Sequence, residues 1–493
     1  MASLIQWGFF MSSTSTLANN DYTLTLPLVT QIRTVIKGSP FVKADGCTYL
    51  PHPSSVDKDP IRYDEFLANA EFDEFTAHTE RVMIGRMKLD DLVFTPENRL
   101  SYLAQDVDKD GLSMRGLAES CCKNVMEVGF HILLCDYKGV LDLKEGELPS
   151  KQQIKDANPR PTIKQYAREN LIDWSFARIN GGRQFNYMLL TESREEVNPD
   201  TGERSDVTIY LKLGLDDVGY FQQKIEQSTL EDNGGDWGEK RYIEVNGKPL
   251  KFIPVSIAAD KEVNGSLPTE LGFLYSIGEL ALYRYRMSGK YKECLSNLLP
   301  TLHVTGVSKT DWEDFELING RATVASGVFT PNIWSGDNVN FQLLESSQSL
   351  QQFLDFFEDN KNKVRALGGS FKTDNTVQRT ATEVIAESES ITAILSPIAD
   401  NVESAIAWQI AYCAMFEGFI DQMSIADYVE IIEFSLNKEF AASKLTVDEI
   451  KALLDVHLSG LLPKSEFLKI MEIGGRTVSS AEELLSRLGD GEM

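Results

Sequence analysis

Residues 349–418 read SLQQFLDFFEDNKNKVRALGGSFKTDNTVQRTATEVIAESESITAILSPIADNVESAIAWQIAYCAMFEG. The first part spaces Leu350, Phe353, Leu354, Phe357, Val364 and Leu367 along one helical face. Gly368 and Gly369 supply its stop, because glycine takes the left-handed conformation that ends helices without steric cost. A polar loop, SFKTDNTVQR, follows. Thr380, Ala381, Thr382 and Glu383 then form a capping box, in which the Thr hydroxyl and the Glu carboxylate satisfy orphan amides at a helix start. That second helix runs to about Gly418, roughly 38 residues or ~57 Å if unbroken. Val384, Ile391, Leu395, Ile398, Val402, Ile406, Ile410 and Cys413 form one apolar seam, with Glu383, Glu387 and Glu389 near the positive end of the dipole. Pro397 has no amide hydrogen and predicts a kink. So long a helix with one seam needs a body to lie on, and the rest of the chain is expected to be arranged around it.

At 493 residues the chain can bury a sizeable core in two or more domains. A composition of 42% hydrophobic and 25% charged residues is that of an ordinary globular protein. The net charge of -26 and the pI near 4.7 exclude general affinity for nucleic acid, so any DNA contact must be local. Cys47, Cys121, Cys122, Cys135, Cys294 and Cys413 lack zinc-ligand spacing and read as reduced core residues. The opening MASLIQWGFFMSSTSTLA has an apolar run without the basic flank of a signal peptide. No stretch reaches the ~18 apolar residues of a membrane span, so cytoplasmic synthesis without export is the expectation.

Residues 1–60 carry Pro51, Pro53 and Pro60 among many Ser, Thr and Asn and read as an extended arm rather than a core element. Residues 62–87 predict one or two helices, and 112–128 another, leading into the apolar run 128–134 of a buried strand. Strands at 185–190, 207–213 and 251–255 are separated by turns such as Asn246-Gly247. After Pro268 a helix of about 30 residues carries Leu274, Ile277, Leu280, Ala281, Tyr285 and Tyr291, with Arg284, Arg286, Lys290 and Lys292 on its other face. Residues 301–345 return to short strands, TLHVTG, RATVASGVF and NVNFQLL, a small β unit expected to project on a helical stalk. The acidic stretch 419–493 predicts a terminal domain of short amphipathic helices.

Motifs for catalysis are absent: no GxxxxGK[ST], HExxH or GxSxG, and His52, His78, His131, His303 and His457 are dispersed. Asp106-Val107-Asp108-Lys109-Asp110-Gly111 matches the first half of a calcium loop, but position twelve is Leu117, where a bidentate carboxylate is required. An Asp/Gly-rich turn into a helix is the favoured reading. Glu383 and Glu387, at i and i+4, are explained by the capping box and dipole before any metal. No catalytic residue, cofactor or metal is expected.

Five stretches carry a resemblance through their order: GLSMRGLAESCCKNVMEVGFHILLCDY, QYARENLIDWSFARINGG, IPVSIAADKEVNGSLPTELGFLYSIGELALYRYRMSGKYKE, GDNVNFQLLESSQSLQQFLDFFEDNKNKVRALGG and TATEV. In this order the chain resembles the portal proteins, or head-to-tail connectors, of tailed bacteriophages, nearest a portal-like family formerly of unknown function. The resemblance implies an α+β portal-protein fold: an N-terminal arm at 1–60, an α/β wing at 61–267, stem helix 1 at 268–299 and a β-rich clip at 300–345. It further implies stem helix 2 at 346–367, a tunnel loop at 368–379, a kinked spine helix at 380–418 and a helical crown at 419–493. The implied function is a non-enzymatic homo-oligomeric ring, a dodecamer in particles, at one capsid vertex. It would conduct double-stranded DNA without sequence specificity during packaging and ejection. The implied partners are terminase, head-tail adaptor and tail proteins, the major capsid protein and scaffold protein, with no membrane. The implied location is the virion, with assembly in the host cytoplasm.

The charges support one local chemistry, phosphate contact. Between 361 and 379, Lys361, Lys363, Arg365, Lys372 and Arg379 stand against one acid, Asp374, a local charge of +4 in a chain of -26. Such contacts are sequence-blind and salt-sensitive. For Lys361, Lys363 and Arg365 the alternative is a solvated helix end complementing the dipole. An otherwise negative channel would keep DNA from sticking, unless the acidity serves solubility alone. Arg284 and Arg286 are expected to face a channel or a neighbouring subunit, a subunit salt bridge being the favoured reading. Trp312 and Trp334 are candidate clip anchors for a partner, the alternative being the core of the small β unit. Competing readings are an undetected nucleic-acid- or carbohydrate-processing enzyme and a non-portal structural or calcium-binding adaptor.

Overall fold

The computed structural model describes residues 17–53, 59–96, 98–138, 158–179, 182–199, 201–261, 263, 265–298, 301–320, 333–334, 339–344, 350–368, 381–438, 440, 447–460 and 463–473. Its principal helices are α1 (Asn20–Lys37), α2 (Pro60–Asn69), α3 (Phe75–Arg86), α4 (Met114–Val128), α5 (Leu274–Leu298), α6 (Lys309–Asn319), α7 (Gln351–Ala366) and α8 (Ala381–Phe416). Its principal strands are β1 (Phe130–Lys138), β2 (Arg160–Ala167), β3 (Leu171–Ile179), β4 (Gly182–Val197), β5 (Arg204–Leu215), β6 (Tyr220–Glu226), β7 (Val255–Ala259), β8 (Thr301–Thr305) and β9 (Asn340–Leu344). This mixture of helix and antiparallel sheet is the expected α+β class. Two compact units divide the chain: unit 1 holds Met1–Ile36, Phe75–Gly278 and Gly368–Met493, and unit 2 holds Lys37–Glu74 and Glu279–Leu367.

Unit 1 is built on α8. The predicted seam from Ile391 through Leu395, Ile398, Val402, Ile406 and Ile410 to Cys413 is buried throughout. It lies against α4 and an antiparallel sheet of order β7-β1-β2. Polar side chains fix the helix across the sheet. Gln409 Nε2, fully buried, donates to Leu133 O (3.1 Å) and Ser256 Oγ (2.9 Å), Ser256 Oγ donates to Ala405 O (2.7 Å), and Asn401 Nδ2 donates to Ala259 O (3.0 Å). A helix laid on a sheet by apolar contact alone could slide, and these bonds to strand backbone set its register. Pro397 lies inside the helix, which continues through it.

A second, five-stranded antiparallel sheet follows the order β3-β4-β5-β6 and then the short strand Arg241–Tyr242. Two close approaches tie the end of α4 to the stretch that leads into α5. Gly129 ends α4 at φ 92, and a Cβ on Gly272 would strike the Met126 carbonyl. Arg168 spans the same spot: Nη1 donates to Val128 O (2.8 Å) and Glu270 O (2.6 Å), and Nη2 to Thr269 O (2.9 Å). Burial lowers this guanidinium to about 10, and its partners are carbonyls alone, one of them at the negative end of α4.

Three expectations are corrected in unit 1. The arm is helical over Asn20–Lys37 and contributes there to the core: α1 buries Val29, Ile32 and Val35, a helical spacing. Its threonines do not break it because each hydroxyl returns to a carbonyl one turn back: Thr25 to Asp21 O (2.7 Å), Thr30 to Leu26 O (2.9 Å) and Thr34 to Thr30 O (2.9 Å). The strand expected at 251–255 starts only at Val255, since Pro254 has no amide to give a ladder. The terminal domain does not begin at 419. Phe434–Ser435 pairs with Val93–Phe94, and Phe434, Leu436 and Phe440 are buried, so this stretch is part of the body. Helices Val447–Leu458 and Lys464–Ile473 follow as predicted, and 474–493 lies outside the described residues.

Unit 2 contains α2, the last five turns of α5, α6 and α7. β8 pairs antiparallel with β9, Thr301 opposite Leu344 and Thr305 opposite Asn340. The expected all-strand reading of 301–345 is corrected here, because Lys309–Asn319 is a helix. Its cause is a capping box: Ser308 Oγ accepts from Asp311 N (3.2 Å), while the Asp311 carboxylate accepts from Ser308 N (2.8 Å). The stretch RATVASGVF lies outside the described residues.

Candidate functional site

In unit 2, α5 and α7 pack antiparallel through aromatic side chains. Tyr283 meets Phe356 edge-on (5.1 Å between ring centroids), and Tyr291 meets Phe353 and Phe357 (5.7 Å each). Ascending numbers on α5 face descending numbers on α7. Asn360, 1% exposed, donates from Nδ2 to Leu280 O (3.2 Å), while its Oδ1 is buried without a hydrogen-bond partner. Ser288 Oγ donates to Glu71 O (2.9 Å) and accepts from Glu71 N (2.9 Å), and Gly289 leaves room for the Phe66 ring, tying α5 to α2 and the segment after it.

Arg284 and Arg286 are engaged inside this unit. Arg284 pairs with Asp73, donates from Nη1 to Phe357 O (2.9 Å) and stacks 4.8 Å from the Phe357 ring centroid. Arg286 Nε donates to Tyr49 O (2.9 Å). Both guanidiniums therefore lie on the helix face that packs within the chain, where they make intrachain bonds.

The basic end of α7 is exposed at Lys363 and Arg365 and half-buried at Lys361. Lys363 pairs with Asp359 one turn back (2.7 Å), a hydrogen bond that raises its pKa. Arg365 Nη1 lies 3.5 Å from Asn362 Oδ1. Both cations occupy the last turn, where they complement the dipole. Lys372, Arg379 and the loop at 369–380 lie outside the described residues, as does the Thr380 end of the predicted capping box.

Trp312 and Trp334 pack with Phe315 into one aromatic cluster. Phe315, fully buried, stacks on Trp334 (4.3 Å) and Trp312 (5.5 Å), and the two Trp rings stand 5.8 Å apart. Trp312 Nε1 donates to Glu316 (3.0 Å). The exposed apolar residues of α6 are instead Leu317, 84% exposed, and Ile318.

No family model matches the sequence, and no curated protein does. Among solved structures the chain is similar to a chain in the virion of a native gene transfer agent particle, at 12% identity over 88% of this chain and 99% of that one, TM-score 0.39. It is similar also to a chain in the neck of an empty gene transfer agent particle computed with C6 symmetry, at 12% identity over 89% and 98%, TM-score 0.38.

Sequence reasoning missed a buried charge cluster in unit 1. Arg33 of α1 bonds Glu127 of α4 and Glu169 (3.0 Å), and Lys123 pairs with Glu119 (2.6 Å) nearby. Glu80 of α3 is buried beside them, and burial, then the hydrogen bond its protonated form gives to Glu127, raises its carboxyl to about 8. His131, almost fully buried, is lowered to about 4 by burial. Five separate elements supply these groups, so no spacing in the chain announces them. The calcium-like loop closes on itself. Asp106 Oδ1 accepts from Lys109 N (2.8 Å) and Gly111 N (3.1 Å), Asp108 Oδ1 accepts from Asp110 N (2.8 Å), and Arg160 pairs with Asp106. Among the described residues no group of three or more His, Cys, Asp or Glu is arranged to hold a metal ion, and no helix is long and apolar enough to cross a membrane. Of the cysteines, Cys121, Cys122, Cys135 and Cys413 are buried, but Cys47 is exposed.

Proposed function

We propose that this chain is the subunit of a portal ring, a non-enzymatic DNA conduit at one capsid vertex. The observation that carries the reading is the succession from α5 to α8. An antiparallel helix pair is closed by a small unit of one strand pair and one helix, and is followed after a basic stretch by a 36-residue helix with a buried seam. That is the order stem, clip, stem, tunnel loop and spine which the resemblance implies. The long helix serves as scaffold and the short stretch before it as working surface.

In this reading Lys361, Lys363, Arg365, Lys372 and Arg379 contact phosphates of double-stranded DNA without reading its sequence. The remaining acidity repels the duplex enough for it to slide. The ring docks terminase during packaging and adaptor and tail proteins afterwards, with the capsid and scaffold proteins around it, and stays in the virion. Closure needs heterologous interfaces, each subunit presenting two different faces. Electron microscopy of the purified protein at high concentration tests this: annular particles with a central hole are expected, and monomers or closed dimers alone overturn the reading.

A further inference from the structure

Unit 1 carries an open cleft of about 570 Å³ between β3, β4, the stretch from Phe252 to Gly265 and the side of α8. Five aromatic rings stand in its walls among aliphatic side chains and the polar Ser256, Asn401, Ser404 and Gln422. Phe176 lies against Phe185 (4.1 Å), Phe252 against Tyr412 (5.5 Å) and Trp408 beside Tyr412 (5.9 Å). Met423 stands at the lip, 93% exposed. The two cations of the cleft are already engaged: Arg183 lies 5.7 Å from the Phe176 ring centroid, and Lys261 pairs with Glu270 (2.6 Å). Such a surface suits an apolar, aromatic and uncharged occupant.

We propose that the occupant is this chain's own segment Leu4–Met11. Leu4, Ile5, Trp7, Phe9, Phe10 and Met11 make six of its eight residues large and apolar, and no charged residue precedes Asp21 in a chain that is 25% charged. Residues 1–16 lie outside the described residues, and the described chain begins at the free edge of the strand that walls the cleft. Asn19 N donates to Ile172 O (2.9 Å), and Asn19 Nδ2 donates to Asp173 Oδ1 (3.3 Å). Among the described strands β3 pairs with β4 alone, on its other side. From Ile172 to Phe176 is four positions along β3, about 13 Å at ~3.3 Å per residue. The eight residues from Met11 to Asn19 span up to about 27 Å. The segment can therefore round the strand edge and lay its aromatic side chains against Phe176, Trp408 and Met423.

Two measurements on the full chain test this. With Phe9 replaced by the photo-crosslinker benzoylphenylalanine, irradiation is expected to join it within one chain to peptides carrying residues 404–412 or 423–426. Crosslinks only between chains, or only elsewhere, overturn the assignment. Oxidation of Met423 by hydrogen peroxide is expected to be several-fold faster in a Phe9→Ser, Phe10→Ser variant than in the unaltered chain. Met87, fully buried, stays slow in both and reports that the fold is intact. Equal Met423 rates overturn the proposal. Neither readout depends on whether the chain forms a ring.

Discussion

Glu80→Gln should make unit 1 more stable in alkali while changing it little in acid. Glu80 is 7% exposed, its Oε1 has no hydrogen-bond partner, and burial followed by Glu127 raises its carboxyl from 4.5 to about 8. A carboxyl raised in the folded chain holds a proton that the unfolded chain has released. Its contribution is therefore full below about pH 4.5 and lost as pH rises through about 8. At about 1.36 kcal/mol per unit the full shift corresponds to several kcal/mol; Lys123 and Arg33, which both lower it and reach solvent, leave about 2–3 kcal/mol as the expected swing. Gln keeps the shape of the protonated acid and cannot ionise. Among the facing groups, Arg33 stays charged and His131 stays neutral above its lowered value of about 4, so neither mimics the effect. Thermal unfolding of both proteins, followed from about pH 5 to pH 9, should show the variant gaining a few degrees towards the alkaline end. Parallel melting curves across that range, or a variant less stable at the alkaline end, would refute the shared-proton account.

Gly272→Ala places a methyl group against the Met126 carbonyl, backbone that cannot rotate away, and should cost several kcal/mol or abolish soluble expression. Gly85→Ala, in α3 with open space around it, is the control and should be neutral or stabilising by up to about 1 kcal/mol in the same denaturation assay. Asn360→Asp puts a carboxylate where the amide donates to Leu280 O. Its pKa should rise, so urea midpoints should fall by an amount worth about 2–4 kcal/mol near neutrality and recover in acid. Lys372→Ala combined with Arg379→Ala should leave ring assembly intact while altering DNA packaging or retention, and unchanged packaging removes both from the phosphate contacts.

Elements whose own periodicity sets their burial were legible before the structure. The seam of α8 from Ile391 to Cys413 is buried as its spacing predicts, and the stop of α7 falls at Gly368, φ 82. Elements decided by local polar bonds were misread. The threonines of α1, with Pro51, Pro53 and Pro60 beyond it, counted against a helix, yet the hydroxyls return to carbonyls of the preceding turn and the apolar face of Val29, Ile32 and Val35 outweighs them. In α6 the decisive signal was the pair Ser308 and Asp311, hidden among residues that otherwise suggest a turn.

The candidate site was less legible because counting charge along a window ignores what precedes it. The window from 361 to 379 carries +4, but Asp355, Glu358 and Asp359 lie on the same helix just upstream, and Lys363 already pairs with Asp359. Within α7 three acids match three bases, so the helix as a whole has no excess. The surplus beyond it rests on Lys372 and Arg379 against Asp374. Five independent phosphate contacts would give a salt slope of about -4.5 per subunit, and two give about -1.8. The acids of α7 thus weaken the proposed contacts of Lys361, Lys363 and Arg365 without removing them, and a grip between these two limits suits the proposed conduit, since a ring multiplies each contact by its copy number.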